Sequence, residues 1–424
     1  MILTNLGLPQ SSSSRPVFYG WWLVVLAAVV MIAGAVPLFH AMTVWGMALG
    51  AHFGWSVVQL GMTLTLTRLV GLAAPAVGYL TDRYGTRRMV LTGLCILAAG
   101  FVLFNLIQNL WSLYAAFIII AAGQSLCGAI PLVVMVSRWF VRRRATAIAI
   151  LLMAPSLSGF VLVPVIAWSV DPDYGHPGWR LTALMLAGLI LLVTVPVLLR
   201  LRNQPEDRGL LPYGIPPAAQ QVSLSIVRTL RTPAFWLIAF GDAFTSAAVS
   251  AVMVYLGLLM SDRGFSLHYT EWVVTAYTGV SVVFMLLGGY LGDRMPKRLL
   301  LSFFSLVSAT SVLGLIMANS LSMFFAFAVL FGAGFGGRSV LAIAILPDYF
   351  GTASLGKILG VSALLAGLLL PIAAHSVGLM LDALGGYAIP FLVLAGLNLL
   401  GAFFFLKARP PQPRDNVSSQ AAAE

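Results

Sequence analysis

The sequence predicts an all-α membrane protein of twelve transmembrane helices in two pseudo-symmetric six-helix bundles, and three observations carry that reading. Hydrophobic residues make up 60% of the chain and charged ones only 9%, with a mean hydropathy of +0.97, whereas a soluble globule is about half apolar and about a quarter charged. Twelve apolar runs are long enough to cross a hydrocarbon core, which takes roughly 20 residues at about 1.5 Å each. A charged motif, Gly78-Tyr-Leu-Thr-Asp82-Arg83-Tyr-Gly85-Thr-Arg87-Arg88, returns as Gly289-Tyr-Leu-Gly-Asp293-Arg294-Met-Pro-Lys297-Arg298, which sets the two aspartates 211 residues apart in a chain of 424. The same loop therefore occurs at the same place in two repeated halves.

Taken in order, the runs fall near residues 18–45, 56–81, 89–108, 111–138, 145–169 and 178–200, then 233–260, 269–292, 299–318, 321–347, 354–382 and 386–407. They divide the chain into an N-terminal tail (1–17), a first bundle (18–201), a linker (202–232), a second bundle (233–407) and a C-terminal tail (408–424). The linker is the one long polar stretch and carries Pro205, Pro212, Pro216, Pro217, Gln220 and Gln221. Met1 to Ser14 are uncharged and the apolar run after Arg15 and Pro16 is too long for a signal-peptide core, so a short tail is expected. The repeat extends beyond the charged motifs: Trp139-Phe140 closes the fourth run, and Tyr349-Phe350, 210 residues on, closes the tenth. Few membrane folds are built from two parallel six-helix repeats.

The net charge of +11 is explained by topology. A nucleic-acid binder gathers its basic residues on one solvated patch; here, with the N-terminus inside, the inner loops, linker and tails hold 20 of the 24 Lys and Arg residues. Outer loops hold only Arg180 and Arg263, beside Asp171, Asp173, Asp262 and Glu271. This is the positive-inside pattern. The expected setting is a bacterial inner (plasma) membrane, with both termini cytoplasmic and the protein a monomer.

Cys95 and Cys127 both lie within apolar runs, leaving neither a disulfide framework nor a thiolate metal site. The histidines are isolated, so no metal is expected, and without a phosphate-cradling glycine loop ATP is not the energy source. No nucleophile and base occur together, so neither an enzyme nor a cofactor is expected.

The Gly78–Arg88 loop between the second and third helices resembles the loop signature of the major facilitator superfamily. A narrower resemblance rests on three places: Tyr19-Gly20-Trp21-Trp22 at the entry to the first helix, Trp139-Phe140-Val-Arg142-Arg143-Arg144-Ala-Thr-Ala147 running into the fifth, and Gly178-Trp179-Arg180 at the mouth of the sixth. These are similar to the monocarboxylate transporter and oxalate–formate exchanger branch. The resemblance implies that Asp82, Arg83, Arg87, Arg88, Asp293 and Arg294 form a cytoplasmic gate, latched when the transporter is open outward. It also implies that helices one, four, seven and ten line the cavity and that two, five, eight and eleven form the seam between halves. The sequence departs from the branch in one respect. Relatives usually carry an anion-binding arginine in the eighth helix, sometimes with a lysine in the eleventh; here 272–291 holds no charge, and the middle of the eleventh offers only His375.

Ionisable residues at membrane depth cost about 2.5 to 3.5 kcal/mol on insertion scales, so each is a candidate for function. Asp242 lies nine residues after Pro233 on a helix leaving the cytoplasm, and Arg338 nine residues before Pro347 on a helix returning there. At 1.5 Å per residue both sit about 13 Å deep, at matching heights. Arg338 can grip a carboxylate through two parallel hydrogen bonds while keeping its charge, and Asp242 can hold a coupling proton. A structural ion pair is the alternative, although the repeat counterpart of Arg338, 210 residues earlier, is Gly128, so the fold itself does not require a charge there. Arg68, near the middle of the second helix, has no acidic residue at comparable depth in its half and needs carbonyls, water or a bound anion. His40 in the first helix titrates near neutral pH and is a second proton-coupling candidate. Gln124, Ser125, Tyr255 and Tyr277 offer neutral hydrogen bonds to a small polar ligand, or simply to a neighbouring helix.

These readings lead to a secondary active transporter of a small organic anion, a monocarboxylate, by proton symport or anion exchange through alternating access. Two alternatives stand beside it. In an exporter of amphipathic, drug-like compounds the three buried charges are structural, and a nutrient sensor binds without transport.

Overall fold

The computed structural model describes residues 18–35, 37, 41–170, 178–214 and 224–411. Among them there are no strands, only an isolated bridge between Phe140 and Tyr213. Helices predominate because a backbone crossing lipid must satisfy its own polar groups. The first half contains α1 (Tyr19–Ala35), α2 (Met42–Phe53), α3 (Val57–Gly71), α4 (Ala74–Tyr84), α5 (Thr86–Asn105), α6 (Leu110–Cys127), α7 (Ala129–Trp139), α8 (Arg144–Val170) and α9 (Gly178–Arg200). A short α10 (Ile226–Leu230) precedes α11 (Pro233–Asp262), α12 (Leu267–Gly292), α13 (Lys297–Ile316), α14 (Leu321–Phe350), α15 (Leu355–Leu384) and α16 (Ala388–Lys407).

Among the described residues ten helices are long and apolar enough to cross a membrane, and α3 with α4 makes an eleventh if that bent pair is one span. The last six predicted runs match α11 to α16 within a few residues. Two of the first six are interrupted at described residues where the sequence predicts continuous helices. In the run at 18–45 the described residues form α1 and α2, and α2 continues to Phe53. The run at 56–81 bends by 47° between Gly71 and Ala74. Pro75 sits in the first turn of α4, where its missing N–H is tolerated but its ring clashes with a preceding helical turn. The run at 111–138 breaks at Gly128, whose ψ of −147° is not helical, with Pro131 three residues on. Serine and asparagine fix several of the helix starts. Ser56 caps α3 in a reciprocal box with Gln59, Asn109 does the same for α6 with Ser112, and Ser320 caps α14.

The two halves meet along α4 against α15 and α8 against α12. Small residues let the backbones touch at the end that carries the basic loops, here called the basic end. Gly78 faces the carbonyl of Gly356, and Gly360 packs on Ala74 and Pro75. A Cβ on Gly289 would lie 2.7 Å from that of Ala149 and 2.8 Å from the carbonyl of Ala145. Further along, the helices part: a Cβ on Gly367 would meet only the Leu72 side chain, at 3.7 Å. Between α2, α8 and α12 lies a cavity of about 720 Å³ bordered by Thr43, Ser156, Thr270, Glu271 and Thr275. The halves are therefore closed at the basic end and separated at the other.

The first part of the linker is packed onto the first half. Tyr213 donates to Trp139 O and accepts from the N–H groups of Val141 and Arg142, Phe18 contacts the rings of Trp139, Phe140 and Tyr213, and Arg208 lies over Tyr19. After the second part, Leu224 N–H donates to Phe350 O, so the linker is tied at Phe140 and at its repeat counterpart.

Gly289→Leu is expected to force α8 from α12, at a cost of about 1–3 kcal/mol for overpacking, and to lower the melting temperature of the purified protein by several degrees. Gly279→Leu on the same helix, where a Cβ meets nothing within 4 Å, is expected to leave it unchanged or raise it slightly.

Candidate functional site

Arg338 and Asp242, predicted at matching depth, are paired. Arg338 Nη1 donates to Asp242 Oδ1 at 2.5 Å, and Nη2 donates to Ser246 Oγ at 3.1 Å. Ser246 lies one turn beyond Asp242 on α11, so two residues on one helix face grip the guanidinium. Gly336 and Gly337 make this possible. A Cβ at either would collide with Ser281 of α12 or the Phe304 ring of α13, so α14 sits tightly on those helices beside the arginine. The Arg338 side chain is 1% exposed, whereas that of Asp242 is 25% exposed. The Arg338 Nε is buried with no hydrogen-bond partner among the described residues, which leaves the guanidinium with an unused donor.

The acid, not the base, borders open space. A cavity of about 260 Å³ is lined by Asp242, by Ala129, Ile130 and Val133 of α7, by Leu346 of α14, and by Leu359, Ser362 and Ala363 of α15. Ala129 and Ile130 open α7 just after the break at Gly128, so a helix start, with N–H groups that lack partners in their own helix, borders the same cavity. Gly128 is the repeat counterpart of Arg338. At that height one half carries a guanidinium and the other a broken helix.

Apart from Tyr277, which lies within electrostatic reach of Arg338, the remaining candidates are dispersed. Arg68 is exposed in the last turn of α3 beside the bend and has no partner among the described residues. The Gln124 carboxamide lies against Gly34 of α1, while Ser125 is half-buried on α6. Tyr255 is engaged between helices, its hydroxyl donating to Ala374 O of α15 at 3.0 Å. Tyr277 packs its ring on Phe331 and Phe335. His40 lies outside the described residues.

At the basic end both motif aspartates bind across the seam. Asp82 accepts from the N–H groups of Gly356 (3.0 Å) and Lys357 (2.9 Å) in the first turn of α15. Asp293 accepts from those of Ala145 (2.9 Å) and Thr146 (3.0 Å) in the first turn of α8, and from the Thr146 hydroxyl (2.6 Å). Each carboxylate thus meets the positive end of a helix dipole in the opposite half. The neighbouring arginines expected in this latch take no part in it. Arg83 donates to the Tyr79 hydroxyl, Arg87 to Leu198 O, Arg294 stacks on Tyr290 and Arg88 is exposed. The helix ends already supply the positive charge, so the carboxylates need no cation from their own loop.

Three other cations act there instead. Arg138 lies 3.9 Å from Asp82. Arg144, 2% exposed, pairs with Asp348 at 2.5 Å and donates to Phe140 O, and Lys297 binds the other oxygen of Asp348. This second tie between the halves was not anticipated from the sequence, although Asp348 stands 210 residues after Arg138 with the opposite charge. At the opposite rim Tyr387 donates to Asp262 at 2.6 Å, and partial burial together with that carboxylate pushes its phenol up to about 12.

The sequence pattern of the Major Facilitator Superfamily matches residues 17–267 and 236–423, which together span nearly the whole chain. The chain belongs to the Major Facilitator Superfamily. Among its relatives, monocarboxylate transporter 13 of Bos taurus is 25% identical over 94% of each chain, and human monocarboxylate transporter 11 is 28% identical over 91% of this chain and 83% of the relative. The MFS-type transporter YcxA of Bacillus subtilis is 22% identical over 80% of this chain and 83% of its own. The E. coli fucose:proton symporter FucP shares the fold, with a TM-score of 0.73 over 93% of this chain and 100% of that one at 16% identity. The protein is thus an integral membrane transporter of this superfamily, related to monocarboxylate transporters, and not an enzyme.

In this superfamily member Asp348→Ala is expected to strand the buried Arg144 guanidinium. A broken buried pair costs about 3–5 kcal/mol; Asp348 is 30% exposed, so the low end applies, read as a melting temperature several degrees lower. Lys297→Ala, which leaves the Arg144 pair intact, is expected to shift it less.

Proposed function

We propose that the protein carries a small organic anion, a monocarboxylate, in symport with a proton by alternating access, with the basic end facing the cytoplasm. One observation carries the reading: a guanidinium in the membrane interior whose only charged partner among the described residues is a carboxylate at the edge of a cavity. Arg338 does not lose its charge, and a buried charge left alone costs about 3–5 kcal/mol. It therefore needs an anion at all times, either Asp242 or the substrate. Protonation of Asp242 removes the first and makes room for the second. Proton and anion then bind as a linked pair, each raising the affinity for the other by the same factor, and about 3 kcal/mol of coupling corresponds to more than a hundredfold.

The names of the relatives agree with a carboxylate cargo, and Arg338 replaces the eighth-helix arginine that is missing here. Arg68, exposed and without a partner among the described residues, is read as a second charge that attracts anions. The latches of Asp82 and Asp293 hold the basic end shut until the loaded site favours the opposite closure.

In proteoliposomes Arg338→Ala is expected to reduce uptake of the anion to background. For the wild type, binding is expected to weaken as pH rises, because the ionised Asp242 reclaims Arg338. Asp242→Asn is expected to bind independently of pH and to support exchange without net uptake. Normal pH-coupled uptake by both variants would sink this assignment.

A further inference from the structure

The cavity beside the ion pair has walls of different chemistry from the pair. Apart from Asp242 its one polar side chain is Ser362; the rest of the lining is aliphatic, from α7, α14 and α15. Leu346 lies eight residues beyond Arg338 on α14, about 12 Å nearer the basic end, so the space runs from the charged pair toward the closed seam. Its volume is about 260 Å³, and an apolar cavity of about 150 Å³ suffices for a benzene ring. A ligand whose carboxylate has taken Arg338 from Asp242 presents the remainder of its structure to these walls. A second carboxylate, an ammonium or several hydroxyls would lose water there and find one hydroxyl in return. A hydrocarbon tail would gain, by about fourfold in affinity for each buried methylene.

Building on the anion-transport reading, we propose that this cavity is the tail subsite of the carrier and that its substrates are hydrophobic monocarboxylates with a branched aliphatic or aromatic tail. Hydroxy acids, dicarboxylates and amino acids are the classes it disfavours. Ala363 sets the width of the subsite. It is exposed toward the cavity from α15, so a large side chain there fills ligand space without entering the packed core.

The test is a thermal-shift titration of the purified full-length protein at acidic pH against acetate, lactate, succinate, 3-methylbutanoate and phenylacetate, with 2-phenylethanol as the uncharged analogue. 3-Methylbutanoate and phenylacetate are expected to stabilise the protein at roughly fiftyfold lower concentration than acetate, from three or more additional buried carbons. Lactate and succinate are expected to do no better than acetate, and 2-phenylethanol to fail. Ala363→Phe should shrink the ratio of 3-methylbutanoate to acetate affinity to less than about fivefold. Ala366→Leu, one turn further along the same wall, should act in the same direction and serves if the first variant does not fold. Tighter binding of lactate or succinate than of 3-methylbutanoate overturns the proposal and leaves the anion-transport reading standing. An unchanged ratio in a folded Ala363→Phe or Ala366→Leu does the same. If 2-phenylethanol matches phenylacetate, both fail in favour of a carrier of amphipathic compounds, and if no carboxylate stabilises the wild type at any pH, both fail outright.

Discussion

A guanidinium that cannot shed its proton is enclosed in the interior of a membrane bundle, and the centre of the molecule is arranged to keep it compensated. Arg338 has a carboxylate on one nitrogen, a hydroxyl on a second and no partner on its Nε. Gly336 and Gly337 press α14 against α12 and α13, which confines the charge to the side where α11 supplies both partners. The compensating acid is itself at the cavity edge, which in the proposed reading makes compensation exchangeable. Under the proposed cycle that single property links proton to anion without any long-range signal.

The closed end follows another economy of charge. Asp82 and Asp293 need no lysine or arginine from their own loops, because each meets two N–H groups in the first turn of a helix from the opposite half. The partial positive charge of a helix start is fixed in direction and falls off within about a turn, so in the proposed cycle such contacts would be lost together when the halves rock. Glycines at 78, 289 and 356 bring the helix backbones close enough for the carboxylates to reach. The tie of Asp348 to Arg144 and Lys297 breaks the symmetry of the repeat: where the first half has Arg138, the second has an acid. The two sides of the closed end therefore differ in strength.

The apolar character of the cavity gives the site its second half. Under the proposed reading the charged anchor selects an anion, and the aliphatic wall of α7, α14 and α15 bears on which one. The walls come from both repeats, so in the proposed cycle closure and opening would change the tail space as well as the access path. In the same region the break at Gly128 turns the start of α7 toward the cavity, in the position where the other half places its arginine.

Much of this was readable along the chain. Composition and run length dictate a multi-span helical membrane protein because lipid admits little else, the duplicated Asp-Arg loops mark its repeat, and the positions of Pro233 and Pro347 put Asp242 and Arg338 at one height by helix rise alone. Periodic hydrophobicity is blind, however, to direction around a helix and to local breaks in a uniformly apolar run. The interruptions near Pro75 and Gly128, the use of Tyr255 between helices, the helix-start partners of Asp82 and Asp293 and the Asp348 tie all depend on which face meets which neighbour. Depth followed from counting residues. That the arginine is buried while its acid borders an oily cavity was decided only when four helices from two halves packed together, since burial belongs to the assembled surfaces and to no single segment.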